Sequence, residues 1–437
     1  MNHPSSDQPG ETRPSGTPSS STGGVKSLPP PLPPSNQGRK RFRLGILGML
    51  AIALALMVIL FKVGSFLRAS SHSARPAKSE AGVAYRNDRI ASEPWSIHVV
   101  QVDRSRPDLG FYSAHARNQI LGVSLLADQA RAIPAQVGQA IAGVNGDFYI
   151  RDHPTYTGDP RGIQIIQGEL ISGPSTVCVW FDAAGNPHLD EVKGRFEVTW
   201  PDGRRTPFGL NEERTGGSAV LYTPSYGSST RSPREGREIV LERDGDNPWL
   251  PLRAGQSYQA RVKQVREGGD SKIAPGTLVL SLGTRLAPLA EAVPVGTVIR
   301  LSTATTPDLS GAHAAIAGGP AIIKDGVPFK LTQQPAGTSG NYSEASKYQR
   351  HPRSAIGWSP THVYLVTVDG RQPGLSVGMK LAELAQYMVK LGCTDAMNLD
   401  GGKSAQMWMK GQIMNDPCQG EDTVANSIFV IRKPTAP

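Results

Sequence analysis

Four short segments hold the side chains best suited to chemistry, and each lies at the end of an apolar run. They are Gly143-Val144-Asn145-Gly146-Asp147-Phe148-Tyr149, Ala317-Gly318-Gly319-Pro320, Arg350-His351-Pro352-Arg353-Ser354-Ala355-Ile356-Gly357, and Met397-Asn398-Leu399-Asp400-Gly401-Gly402-Lys403-Ser404. Glycine at a strand end lets a ligand come close to the backbone. Binding and catalytic residues gather on loops held by a rigid scaffold. Asn398 and Asp400 alternate along a strand-like stretch, which sets both on one face. Asp369-Gly370-Arg371 places another acid after an apolar run. Carboxylates and amides beside glycines suit binding or acid–base work. Each segment keeps a purely structural alternative: Asn145-Gly146 also reads as a hairpin turn, Asp400-Gly401-Gly402 as a turn, and Arg353 as a surface cation.

Several other chemistries are excluded. Gly402-Lys403-Ser404 resembles the end of a phosphate-binding loop, but that motif needs a glycine where Met397 stands. No HExxH or GxSxG occurs, and the histidines never pair at metal-ligand spacing. Three scattered cysteines without a CxxC do not make a zinc ribbon. Cys178 sits in the apolar run Val177 to Phe181, where a thiol packs as a small hydrophobe. Cys393 and Cys418 lie in polar, turn-rich settings and are expected to form a disulfide, given an oxidising compartment.

The elements that must position these residues are mostly strands. Trp95 to Val102, Ala140 to Val144, Ser175 to Phe181, Ser354 to Trp358, His362 to Val368 and Ser427 to Ile431 are β-rich runs. Leu381 to Leu391 has helical spacing and ends at Gly392, a good C-cap. Residues 196–300 continue as short β-type runs and carry no legible chemical signal; they are a candidate β-rich subdomain. Asn211 to Arg234 reads as a long surface loop. The expected fold class is α+β: a large mixed, barrel-like sheet with a few helices.

Charge first suggests a nucleic-acid partner, since the 437 residues carry a net +9. Its distribution removes that reading. Residues 1–43 carry +4, residues 44–86 another +4, and residues 87–437 only +1. Residues 1–43 are rich in Pro, Ser and Gly and read as a disordered tail. Leu44 to Phe61 has neither charge nor proline and is long enough to cross most of a hydrocarbon layer about 30 Å thick. The expectation is a single anchor at 44–63, a linker at 64–89 and one large domain at 90–432. Basic residues before the apolar run put the tail in the cytoplasm and the domain in a periplasm or outside the cell.

Taken together, the segments resemble the phosphodiester glycosidase family, which includes the lysosomal enzyme that removes N-acetylglucosamine from a phosphodiester. Bacterial relatives are often associated with exopolysaccharide. The likeness is strongest from Arg353 to Val430, through Ala355-Ile356-Gly357, Val368-Asp369-Gly370-Arg371, Leu381 to Leu391 and Asp395 to Gly402. Asn145 to Tyr149 matches the family's earlier Asn-Gly-x-aromatic segment. Lys403 departs from it, standing where the family has a small residue.

The resemblance implies cleavage of a sugar C1–O bond with a phosphate ester as leaving group. It makes Asp400 the first candidate carboxylate, Asp147 its partner or water base, and Asp369 the third choice. Arg353 would bind phosphate, with Gly401, Gly402 and Lys403 beside it. Asn145 and Asn398 would hold sugar hydroxyls. No cofactor is required. Two alternatives stand: a non-catalytic carbohydrate-binding module, and a phosphodiesterase holding a divalent cation on Asp147, Asp369 and Asp400. Convergence of Asp147, Asp400 and Arg353 on one cleft favours the enzyme.

Overall fold

The computed structural model describes Met57 and residues 78–173, 175–330 and 344–434. The expected tail and anchor lie outside the described residues, apart from Met57. Among the described residues no helix is long and apolar enough to cross a membrane. The chain divides into two units, Met1–Gly64 and Ser65–Pro437, and every described residue except Met57 belongs to the second.

This unit is mostly β with few helices and includes a nearly closed, barrel-like sheet. Seven elements position the candidate site. They are β1 (Gln139–Asn145), β2 (Arg353–Trp358), β3 (His362–Val368), α1 (Leu381–Lys390), β4 (Asp395–Asn398), β5 (Met407–Met409) and β6 (Asn426–Arg432). An eight-stranded sheet runs Lys78–Glu80, Val83–Ile90, Trp95–Asp103, β3, β2, β4, Ala321–Lys324, Val327–Pro328. A five-stranded sheet runs Gln412–Ile413, β5, β1, β6, Leu109–His115. The expected linker is therefore shorter than 64–89, because residues 78–80 and 83–90 are already strands.

Alternation along the strands explains the layering. Ile97, Val99, Ala355, Tyr364, Val366 and Ala396 share one core with Leu381, Leu384 and Met388 of α1. Their neighbours Val100, Val102, Ile356, Leu365 and Met397 share another with Ile141, Val144, Met407 and Ile428 of the five-stranded sheet. A period of two sends successive side chains to opposite faces. The eight-stranded sheet is thus covered by the helix on one side and by the small sheet on the other.

Residues 164–317 supply a twelve-stranded sheet with its own apolar interior, including Phe196, Leu221, Leu280 and Leu301. Residues 196–300 are continuous with it through the pairing of Val298–Thr306 with Pro187–Thr199. The loop expected over 211–234 is interrupted and partly buried. Ala219–Tyr222 is a fully buried strand, and Asn211 and Arg214 are buried too.

The expected disulfide does not form: all three thiols are free. Helix α1 ends as the sequence predicts, with Gly392 at φ +85°. The Gly392 N–H donates to Val389 O and the Cys393 N–H to Met388 O, which closes a Schellman cap. Cys393 then packs into the core beside Met388, while Cys418 lies on a loop near Gly402. The cap turns Cys393 inward, and burial raises its thiol to about 12.

Candidate active site

Strands β1 and β4 end side by side, and the residues just beyond them form the centre of the site. The Asp400 N–H donates to Gly146 O at 2.9 Å. The Asn145 side-chain amide donates to Asp400 O at 2.7 Å. Asn145 Oδ1 accepts from the Ser354 hydroxyl at 2.6 Å and from the Gln406 N–H at 3.2 Å. A Cβ on Gly146 would lie 2.4 Å from Asn426 Oδ1 and 2.8 Å from Ile316 Cδ1, so a larger residue would displace both side chains.

Asp147 is buried. Its carboxylate accepts from the Phe148 N–H at 2.7 Å and the Gly162 N–H at 2.8 Å. Burial pushes its carboxyl up to about 7; the Asp400 charge adds to the rise, and the two N–H groups oppose it. Asp400 keeps a partly open edge. Its carboxyl is pushed to about 6, chiefly because dense surrounding protein displaces water. Hydrogen bonds from Ser404 and the Gly401 N–H and the charge of Arg151 pull it down, while Asp422 raises it.

From Asp147 the chain leaves as one arm of a ladder: Arg161 N donates to Phe148 O at 2.9 Å, and Ile150 N to Asp159 O at 2.9 Å. Alternation along that arm brings Asp147, Tyr149 and Arg151 together. The Arg151 guanidinium donates to Ser404 Oγ at 2.8 Å and to Asp422 Oδ2 at 3.0 Å. It lies 5.2 Å from the centre of the Tyr149 ring. Arg371 approaches from the other side. It is exposed at φ +58°, donates to His351 Nδ1 at 3.1 Å, and lies 3.4 Å from where a Cβ on Gly402 would be. Burial and the charges of Arg353 and Arg371 lower the His351 imidazole, which favours the neutral ring that accepts this bond.

Asp147 and Asp400 therefore converge, but several other expected residues do other work. Arg353 is buried and donates to the carbonyls of Met379, Ser346 and Gln349, so it holds backbone together instead of meeting phosphate. Asp369 is also buried. It accepts from His98 at 2.7 Å, Ser96 at 2.8 Å, Asn415 at 3.2 Å and the Asp416 N–H at 2.9 Å. Both its oxygens are committed to joining segments, which argues against a catalytic role and against the three-carboxylate cation site. Among the described residues no group of three His, Cys, Asp or Glu side chains gathers to hold a metal ion.

Asn398 does not share a face with Asp400. It is the last residue of β4, and its amide donates into the interior, to Gly319 O and Leu399 O. Asn145 positions Asp400 and is buried away from any sugar. The Gly401 N–H is taken by Asp400 Oδ1 and the Gly402 N–H by Pro352 O, so neither is left for phosphate. Lys403 is exposed. The residues missed were Arg151, Tyr149, Ser404, Arg371 and Asp422. Alternation beyond Asp147 would have flagged Tyr149 and Arg151, whereas Asp422 has no local signal. A cavity of about 1050 Å³ opens elsewhere, lined by Phe111, Phe181, His313 and Lys433 among others, and none of the site residues borders it.

Residues 260–431 match the family model described as phosphodiester glycosidase. Asp400, Arg371 and Asp422 lie inside the match; Asp147, Tyr149 and Arg151 precede it and join through the fold. A hypothetical protein from Synechocystis superposes with a TM-score of 0.65 at 22% identity, covering 82% of this chain and 64% of that one. A putative exported protein from Burkholderia pseudomallei superposes at 0.59 and 22% identity, covering 77% and 74%. At such identity these show the fold alone. An uncharacterized SPbeta prophage-derived protein of Bacillus subtilis, YomE, is 30% identical over 125 residues, 28% of this chain and 18% of that protein. The chain thus spans less than two thirds of the Synechocystis protein and of YomE.

Proposed function

We propose that the domain hydrolyses the sugar C1–O bond of a glycosyl phosphodiester. One observation carries this: two carboxyls, Asp147 and Asp400, meet at adjoining strand ends, both held above the ordinary carboxylate range, and the Arg151 guanidinium acts on Asp400. Cleavage at a sugar carbon needs a carboxylate to face the oxocarbenium-like centre or activate water, and a second acid beside it can exchange the proton. Asp400, with its open edge, faces the oxocarbenium-like carbon or activates water. Asp147, raised to about 7, lies beside it balanced between its protonated and charged forms at neutral pH. Arg151 and Arg371 receive the phosphate, which leaves as a stable anion and needs little protonation. Mutual influence of the two acids means that their apparent values belong to the pair.

The test is product identification after incubating the protein with a nucleoside diphosphate sugar or a simple sugar phosphodiester, with and without chelator. Free sugar plus phosphate ester supports the reading; sugar 1-phosphate overturns it in favour of a phosphodiesterase. The same reading tethers the domain outside a membrane through residues 44–63, supported by the basic residues that precede the apolar run. Protease added to spheroplasts with an intact inner membrane should remove the domain and spare the tail; a protected domain would refute that placement.

A further inference from the structure

We propose that Asp422 is a built-in competitor for Arg151, and that the exchange of Arg151 from Asp422 to the substrate sets how strongly the site takes an anionic group. This rests on the reading that the site receives a phosphoryl group.

Arg151 bridges two partners. One arm donates to Ser404 Oγ, whose hydroxyl bonds the Asp400 carboxylate, and the other pairs with Asp422 Oδ2 at 3.0 Å. The pair is partly exposed, with 40% of the Arg151 side chain and 31% of Asp422 open to solvent. An exposed ion pair is weakly held and is readily exchanged for a better acceptor. A phosphoryl group offers two oxygens to the guanidinium fork, a stronger and more directional contact than one carboxylate oxygen.

The backbone around Asp422 is pinned whatever its side chain does. Its N–H donates to Gln406 Oε1 at 3.1 Å, and its carbonyl accepts from Gln406 Nε2 at 2.8 Å. The next carbonyl, of Thr423, accepts from the Tyr149 hydroxyl at 3.1 Å. Asp422 Oδ1 accepts from the Thr423 N–H at 2.8 Å, a bond an asparagine keeps. The carboxylate can release Arg151 without moving the loop. While it stays paired, it holds the guanidinium away from an incoming anion.

Asp422 also acts on Asp400, which faces Asp147, Arg151 and Ser404, with Arg371 beyond Gly402. Removing the Asp422 charge lowers the Asp400 carboxyl, so the acid limb of any rate profile moves to lower pH. A merely structural role would not move that limb.

The test uses the whole chain and inorganic phosphate as the probe, with binding followed by calorimetry. Asp422→Asn should tighten phosphate binding about fivefold, as expected for freeing one exposed ion-pair partner. Arg151→Gln should weaken it, and adding Asp422→Asn to Arg151→Gln should recover little. With substrates, Asp422→Asn should lower KM for a sugar phosphodiester more than KM for a neutral aryl glycoside. Unchanged or weaker phosphate binding in Asp422→Asn, or tightening that persists without Arg151, overturns the exchange. A protein that binds phosphate with this pattern but cleaves neither substrate refutes the glycosidase reading and leaves the exchange standing.

Discussion

Asn145 holds Asp400 by its backbone: the Asn145 amide donates to Asp400 O at 2.7 Å, while the Asp400 N–H donates to Gly146 O at 2.9 Å. The first candidate carboxylate is thus placed by a residue 255 positions earlier in the chain. Replacing Asn145 with Ala removes this tether and strips Ser354 and Gln406 of an acceptor. A buried polar group left without a partner costs about 1–3 kcal/mol. Urea denaturation should show that loss, and turnover should fall by about tenfold or more because the carboxylate is no longer positioned.

Gly146→Ala should be harsher still. Its Cβ would overlap Asn426 Oδ1 and Ile316, and Asn426 Oδ1 already accepts the Asp147 N–H at 2.7 Å. Overpacking of this kind costs about 1–3 kcal/mol, and Asp147 should lose its place with it. A melt combined with an activity assay checks both; wild-type turnover in a stably folded variant would contradict the geometry.

The two arginines should separate cleanly. Arg371→Ala removes an exposed cation beside Gly402, so KM for a phosphodiester should rise while the thermal midpoint stays near wild type. Arg353→Ala abandons the buried Met379 carbonyl and the part-buried carbonyls of Ser346 and Gln349, and should cost about 3 kcal/mol. If Arg353→Ala folded normally and only raised KM, the assignment would be reversed.

Stability should depend on pH through Asp147. Its carboxyl lies at about 7 in the folded protein against an ordinary 3.8. Between those values the folded state holds the proton and the unfolded state has lost it, so stability falls as pH rises through that window and levels off above it. Asp147→Asn removes this contribution. Its melting temperature should vary less between pH 4 and 7 than that of the wild type, measured in a series of buffers of equal ionic strength. A wild-type curve that rises through this window would contradict the buried, proton-holding role.

Much of this was legible in the sequence. Strand-end acids beside glycines led to Asp147 and Asp400, and helical spacing followed by Gly392 led to α1 and its cap. What failed did so for physical reasons. Charge alone does not report burial, so Arg353 was read as a phosphate ligand when Arg371, near in the motif but turned outward at φ +58°, stands in the open. Alternation predicted a shared face for Asn398 and Asp400, but β4 ends at Asn398 and the chain turns before Asp400. Polar composition made 211–234 look like a loop, although the short strand Ala219–Tyr222 within it is wholly buried. Asp422 enters the site only through tertiary pairing with Arg151, which no local pattern encodes.

The most direct test of the central claim is to run the reaction on a sugar phosphodiester in heavy-oxygen water and locate the label by mass spectrometry. Cleavage at the sugar carbon puts the label on the released sugar, and turnover should fall by about a hundredfold or more in Asp400→Asn. Label found in the phosphate, or full turnover in Asp400→Asn, would contradict the account.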